Sequence, residues 1–221
     1  MQLQAREPIF DLRCPRQWVV ASMLLKAVFL LLILVAAGQW PSTARAQDAP
    51  VLVEGQRFTA RTTVAGSELL LNGTGVRAAG WFKGYAAGLY LLERVSSAEQ
   101  AQALRAPKRV QLRLLHDVPA AELAKAVHKG ITRNSSEADR QALELPLARF
   151  EAQINAVGQV RKGDVVDLDQ AVDGTLRFSV NGTLRGSIQP GTALFAALLQ
   201  SFVGSQPYDE RLKAGLLGRS R

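Results

Sequence analysis

Hydrophobic positions change their spacing several times along this chain, and each change marks an element. Residues 27–37 read Ala-Val-Phe-Leu-Leu-Leu-Ile-Leu-Val-Ala-Ala with no polar side chain. After a mixed lead-in at 47–57, Phe58–Val64 alternates weakly and reads as a strand. Glu68–Asn72 is a short apolar run ending at Asn72-Gly73, a dipeptide that favours tight turns. Residues 75–93 are rich in glycine and aromatics, which favours strand over helix. We read two strands there, over 75–82 and 85–93. Gly80, Gly84 and Gly88 share a face in a strand, so something approaches the backbone closely or the strand bends.

Ser96-x-x-Glu99 forms a capping box and predicts a short helix over 97–105, ended by Pro107. Arg109–Leu115 alternates Val110, Leu112 and Leu114 with polar residues, which predicts a strand with one wet face. Pro119 opens a helix at its first position, with Leu123, Val127 and Ile131 four apart. A second helical stretch carries Leu143, Leu147, Phe150, Ile154 and Val157, and Pro146 is expected to kink or divide it. Val165–Leu168, Thr175–Val180 and Leu184–Ile188 alternate with period two, joined through Asp173-Gly174 and Asn181-Gly182. That is a three-strand meander. After Pro190-Gly191, Leu194, Phe195, Leu198, Leu199, Phe202 and Val203 form one helical stripe. A last helix over 208–217 stops at Gly218. Strands, helices, strands and helices in this order describe an α+β domain, with an antiparallel sheet and helices gathered on one side.

The apolar run at 27–37 follows Lys26 and precedes Ala44-Arg45-Ala46. These are the parts of a secretory signal peptide, with cleavage after Ala46. Eleven apolar residues fall well short of the roughly 20 that span a bilayer, so a membrane anchor is the weaker reading. A start at Met23 instead of Met1 would give a leader of more ordinary length. We therefore expect residues 1–46 to be a leader, 47–221 to be the domain, and the product to be periplasmic or secreted.

The leader changes the charge balance. The 221 residues hold 27 Lys+Arg and 19 Asp+Glu, a net of +8. Beyond residue 46, 22 basic and 17 acidic residues remain, interleaved and without an aromatic-basic motif. A solvated surface fits better than a nucleic-acid face. The one cysteine, Cys14, falls in the leader, which excludes thiol catalysis, a disulfide and a Cys-ligated metal in the domain. The composition also excludes a disordered tail protein and a polytopic membrane protein.

Few residues carry recognisable chemistry. Gly73-Thr-Gly75-Val-Arg-Ala78 matches a dinucleotide fingerprint, but the helix that must follow it has no room. His116-Asp117 could be an oriented base, though a strand-end surface pair is the plainer reading. The two histidines have no partner at metal spacing, and neither a metal nor a cofactor is expected. Asn72, Asn134 and Asn181 begin glycosylation sequons, two of them at Asn-Gly pairs. Arg77 stands out: it lies in an apolar, glycine-rich stretch with no acidic residue near it in sequence. It either points to solvent at a strand end or anchors an anionic ligand.

Two separated motifs carry a family resemblance. Leu70-Leu-Asn-Gly-Thr-Gly-Val-Arg77 with Phe82-Lys-Gly-Tyr-Ala-Ala-Gly-Leu-Tyr-Leu91 resembles the central pattern of the chalcone isomerases. Ile188-Gln-Pro-Gly191, Phe195–Gly204 and Leu212–Gly218 are similar to that family's C-terminal end. The likeness runs from about Phe58 to Gly218 and is strongest with the exported bacterial branch. It implies an open-faced β-sandwich, with a large antiparallel sheet, helices on one side and an apolar cleft between them.

The family's plant enzymes are isomerases, intramolecular lyases that close a chalcone to a flavanone. By resemblance, Arg77 matches their charge-stabilising arginine and Ser201 their C-terminal Ser/Thr, so these two would be catalytic if the chain is active. The family's threonine falls on Ala86, its tyrosine near Leu123 and its asparagine near Gly130, so three of five polar groups are missing. Non-enzymatic relatives bind fatty acids. The leading expectation is thus a cleft for a small apolar, carboxylate-bearing ligand, touching Arg77, Tyr85, Ala86, Leu123, Val127, Ser201 and Phe202. An isomerase with an unknown substrate and an interaction module without a ligand site remain as alternatives.

Overall fold

The computed structural model describes residues 49–79, 82–105 and 107–219. The leader, and the Gly80-Trp81 pair between the two central strands, lie outside the described residues. Seven strands form one sheet, in the spatial order β11-β10-β9-β6-β5-β4-β3. They are β3 (Arg61–Val64), β4 (Ser67–Ala79), β5 (Phe82–Leu91), β6 (Lys108–Leu114), β9 (Val165–Gln170), β10 (Leu176–Val180) and β11 (Thr183–Ile188). Every neighbouring pair is antiparallel. Two small ribbons complete the strands: β1 (Val51–Val53) with β2 (Gln56–Phe58), and β7 (Val118–Pro119) with β8 (Gln159–Val160). The helices are α1 (Ala98–Ala103), α2 (Ala120–Asn134), α3 (Glu137–Asn155), α4 (Thr192–Val203) and α5 (Glu210–Leu216). The fold is the expected open-faced sandwich, a large antiparallel sheet with helices packed on one side.

Alternation along the strands sorts the side chains into two layers. Val110, Leu112, Leu114, Val166, Leu168, Leu176 and Phe178 face the helices and join one core with Ile131, Phe150, Phe195 and Phe202. Phe58, Val64, Leu69, Leu71, Ala86 and Tyr90 form a smaller cluster on the opposite face. The expected wet face of β6 is polar but not open. There Arg109 donates from Nε and Nη2 to Asp169 at 2.6 and 2.7 Å, and Gln111 donates to Asp167 at 2.8 Å. The polar groups of β6 satisfy one another across the strand pair with β9.

Strand β4 departs most from expectation. Asn72-Gly73 is not a turn; the strand runs straight through it for 13 residues. Leu71 pairs with Tyr90 and Gly73 with Leu89, so Asn72 is an extra, bulged residue. Its buried side chain accepts from the Val95 N–H at 2.7 Å and donates to the Leu216 carbonyl at 2.7 Å. With the amide bonded on both sides, its sequon is closed to modification. Asp173-Gly174 and Asn181-Gly182 do turn the chain, each with a left-handed glycine.

Other boundaries move slightly. Expected strand 58–64 divides into β2 and β3. The capping box at the first helix slides by one, to Ser97 and Gln100. Pro119 is the residue just before α2 rather than its first, and α3 continues through Pro146 without dividing. No helix among the described residues is long and apolar enough to cross a membrane.

Glycines let α5 lie directly on β4. A Cβ at Gly73 would overlap the Gly215 carbonyl, and one at Gly75 would stand 2.9 Å from the Leu212 carbonyl. The fingerprint glycines therefore serve helix-on-strand contact, and no helix follows them. Gly88 likewise makes room for the Phe58 ring on the other face. Gly215→Ala tests the contact, because alanine would otherwise help a helix by about 1 kcal/mol. Here a Cβ would strike the Thr74 carbonyl. The variant is expected to lose about 1–3 kcal/mol, seen as a lower urea midpoint. A raised midpoint would contradict the close packing.

Candidate ligand-binding cavity

A cavity of about 220 Å³ lies between the inner face of the sheet and the helices. Its floor crosses five adjacent strands. Arg77 comes from β4, Tyr85 from β5, Leu112 from β6, Val166 and Leu168 from β9, and Phe178 from β10. Four strand spacings of about 4.8 Å make this a track of roughly 19 Å. Leu123 and Val127 of α2, Ile154 of α3 and Phe202 of α4 form the roof. Polarity is graded along the track. The β4–β5 end holds a guanidinium and a phenol, while the β9–β10 end is wholly apolar.

Arg77 reaches this face because of the Asn72 bulge. Leu69 and Leu71 belong to the opposite cluster, and strict alternation would send residues 73, 75 and 77 there too. The extra residue reverses the alternation, and Arg77 pairs with Tyr85 across β4–β5. The Arg77 Nη1 donates to the Ala78 carbonyl and lies 3.8 Å from Asp209 Oδ2. That carboxylate is too far to take a hydrogen bond, so among the described residues most of the guanidinium's donors have no partner.

Two tyrosines stand beside it. Tyr85 lines the cavity, and no described residue hydrogen-bonds its hydroxyl. Burial, with help from the neighbouring Tyr208, raises its pKa far above the usual phenol value, although Arg77 pulls the other way. Tyr208 packs edge-on against Phe202, with ring centroids 5.0 Å apart, and donates to the Ala126 carbonyl at 3.1 Å. Burial pushes its pKa up to about 12, opposed by Ser201, Arg133 and Arg77. Both phenols are therefore neutral at ordinary pH, with the Tyr208 proton committed to the Ala126 carbonyl.

Tyr208 sits where α2 has no side chain. A Cβ at Gly130 would overlap the Tyr208 ring and hydroxyl. The loop carrying Tyr208 is strapped to the end of α2 by two side chains. Arg133 donates to the Pro207 carbonyl at 2.7 Å, and Asn134 bonds both polar atoms of the Gln206 backbone. Arg133 and the exposed Lys129 also border the cavity and add positive charge.

The expected ligand residues divide. Arg77, Tyr85, Leu123, Val127 and Phe202 converge on the cavity. Ala86 does not: alternation turns it away from Tyr85 into the cluster around Phe58. Ser201 is fully buried and donates to the Ala197 carbonyl at 3.2 Å. It does not line the cavity, and its hydroxyl neighbours that of Tyr208. Tyr208, Asp209, Arg133 and Phe178 were not anticipated as site residues. The signals for the first two were a glycine inside a helix and an Asp at a helix start, and neither points across 70 residues of sequence. His116-Asp117 has no part in the cavity, and Asp117 accepts from the Lys162 N–H at 2.8 Å. Among the described residues no cluster of three or more His, Cys, Asp and Glu could hold a metal.

The sequence profile described as chalcone isomerase-like matches residues 50–218. The chain belongs to the chalcone isomerase-like family. Among solved structures, a fatty-acid binding protein of Arabidopsis thaliana shares the fold with a TM-score of 0.58. The match covers 76% of this chain and 96% of that one, at 16% identity. No curated protein sequence matches the chain.

The phenols give a pH test for this chalcone isomerase-like domain. Its three tyrosines all have pKa values raised by burial. An unfolded chain ionises tyrosine near pH 10. The stability these groups contribute is full below that pH and declines as pH rises towards their folded values. Native protein is expected to show little tyrosinate absorbance at about pH 10, and urea-unfolded protein about half its maximum. Equal absorbance in the two states would contradict the buried placement.

Proposed function

We propose that this chalcone isomerase-like domain binds a single-chain amphiphile with an anionic head, a fatty acid or a close relative. The observation that carries the reading is the graded polarity of the cavity. A carboxylate would meet the free donors of Arg77 and the unpartnered hydroxyl of Tyr85. A hydrocarbon tail would run towards Leu168 and Phe178. The Arabidopsis relative supports the reading, since its name describes a fatty-acid binding protein. The size favours modest ligands. A volume of about 220 Å³ is below the ~300–1,000 Å³ of drug-sized pockets. We take medium chains to fit best, and an unfilled, largely apolar cavity speaks against a module without a ligand site.

A second reading is an isomerase of the intramolecular-lyase type. One arrangement favours it: the neutral Tyr85 phenol beside the Arg77 guanidinium could stabilise an oxyanion. It predicts chalcone cyclisation above the spontaneous rate, lost in Arg77→Ala. The proposal includes export, supported by the leader pattern and by a family match that begins only at residue 50. N-terminal sequencing of protein recovered outside the cytoplasm is expected to start at Gln47; retention of residue 1 there would oppose it.

Calorimetry with decanoate and 1-decanol tests the binding reading. Charged hydrogen bonds are worth about 1.5–3 kcal/mol, so Arg77→Gln is expected to weaken decanoate about 10- to 100-fold. Binding of 1-decanol should change by no more than about twofold. Equal decanoate affinity in both proteins would overturn the anchoring role.

A further inference from the structure

Asp209 faces two ways. Its Oδ1 accepts the N–H groups of Arg211 at 2.8 Å and Leu212 at 3.0 Å, capping α5. Its Oδ2 lies 3.8 Å from the Arg77 guanidinium. The placement follows from the way α5 tracks β4. Gly215 lies over Gly73, Leu212 over Gly75, and the helix start reaches Arg77. A turn of helix advances about 5.4 Å and two strand residues about 6.7 Å, so the two backbones stay nearly in step. The pair is only partly exposed, with side-chain accessibilities of 33% for Arg77 and 15% for Asp209. It is thus screened by solvent only in part.

We propose that Asp209 is a built-in counter-ion at the head-group end of the cavity, which sets how strongly the site prefers acids to neutral amphiphiles. The inference rests on the amphiphile-binding reading and deepens it. With the cavity empty, Asp209 balances the charge of Arg77 without occupying its donors. A ligand carboxylate that bonds Arg77 comes within a few ångströms of Asp209 and is repelled by it. A neutral head group meets no such repulsion. The domain therefore binds acids more weakly than the cations Arg77, Lys129 and Arg133 alone would dictate, which suits a carrier that must release its cargo.

Asparagine separates the two duties, because Asn caps a helix as well as Asp does but carries no charge. In Asp209→Asn, calorimetry is expected to show decanoate binding about tenfold tighter than in wild type. The affinity for 1-decanol should stay within about twofold, and the urea midpoint should hardly move. Asp209→Ser, an equally good cap, repeats the test if the first variant folds poorly. Unchanged decanoate affinity would reduce Asp209 to a cap and overturn the proposal. Weaker decanoate binding would also overturn it, because Asp209 would then be needed to hold Arg77 in place. Failure of wild type and both variants to bind either compound would instead remove the binding reading itself, and this inference with it.

Discussion

A single inserted residue in a strand decides which side of the sheet carries the charge. Asn72 bulges out of β4, and every side chain after it changes face. Leu69 and Leu71 pack outward, whereas Gly73, Gly75 and Arg77 face the helices. Without that step, Arg77 would lie among the cluster around Phe58 and Tyr90, with no cavity before it. The bulge is held from both sides, by the Val95 N–H and the Leu216 carbonyl. Those contacts tie the register of β4 to α5, the same helix that presents Asp209 to Arg77. Sheet register, helix docking and the electrostatics of the site thus form one mechanical unit.

The rest of the cavity follows from the sheet. A floor of five antiparallel strands gives a long, shallow track, and the order of the strands places polar groups at one end only. Helix α2 roofs it, and Gly130 on that helix admits the Tyr208 ring. The family resemblance suggests a loss of polar groups near Leu123 and Gly130. The folded chain returns a hydroxyl beside Gly130 from the far end of the sequence. Burial keeps that hydroxyl and its neighbour Tyr85 protonated; Tyr208 spends its proton on the Ala126 carbonyl, which leaves Tyr85 and Arg77 as the donors for an anion.

The legible parts of the fold were those governed by local periodicity. The meander, the α4 stripe and the helix starting after Pro119 all follow from spacing. Arg77 was legible as a charge without a local partner, but its face was not, because a bulge leaves no periodic trace. Asn72-Gly73 even carried the opposite signal, a turn dipeptide overruled by hydrogen bonds to residues 95 and 216. Ala86 lies on the face away from the cavity, because a motif identifies a position and not the face it occupies. Ser201 lies outside the lining because its buried hydroxyl turns back to the Ala197 carbonyl on its own helix, a choice of partner that sequence does not show. Asp209 is not legible as a site residue, because a capping residue has a complete local explanation and its second contact exists only in three dimensions.

The most direct measurement is a crystal structure of the domain with decanoate bound. The carboxylate is predicted to lie within hydrogen-bond distance of the Arg77 guanidinium and the Tyr85 hydroxyl. The chain should extend across β6 and β9 towards Phe178, beneath Leu123, Val127 and Phe202. A ligand lying the other way round, or one bound outside the space between sheet and helices, would contradict the account.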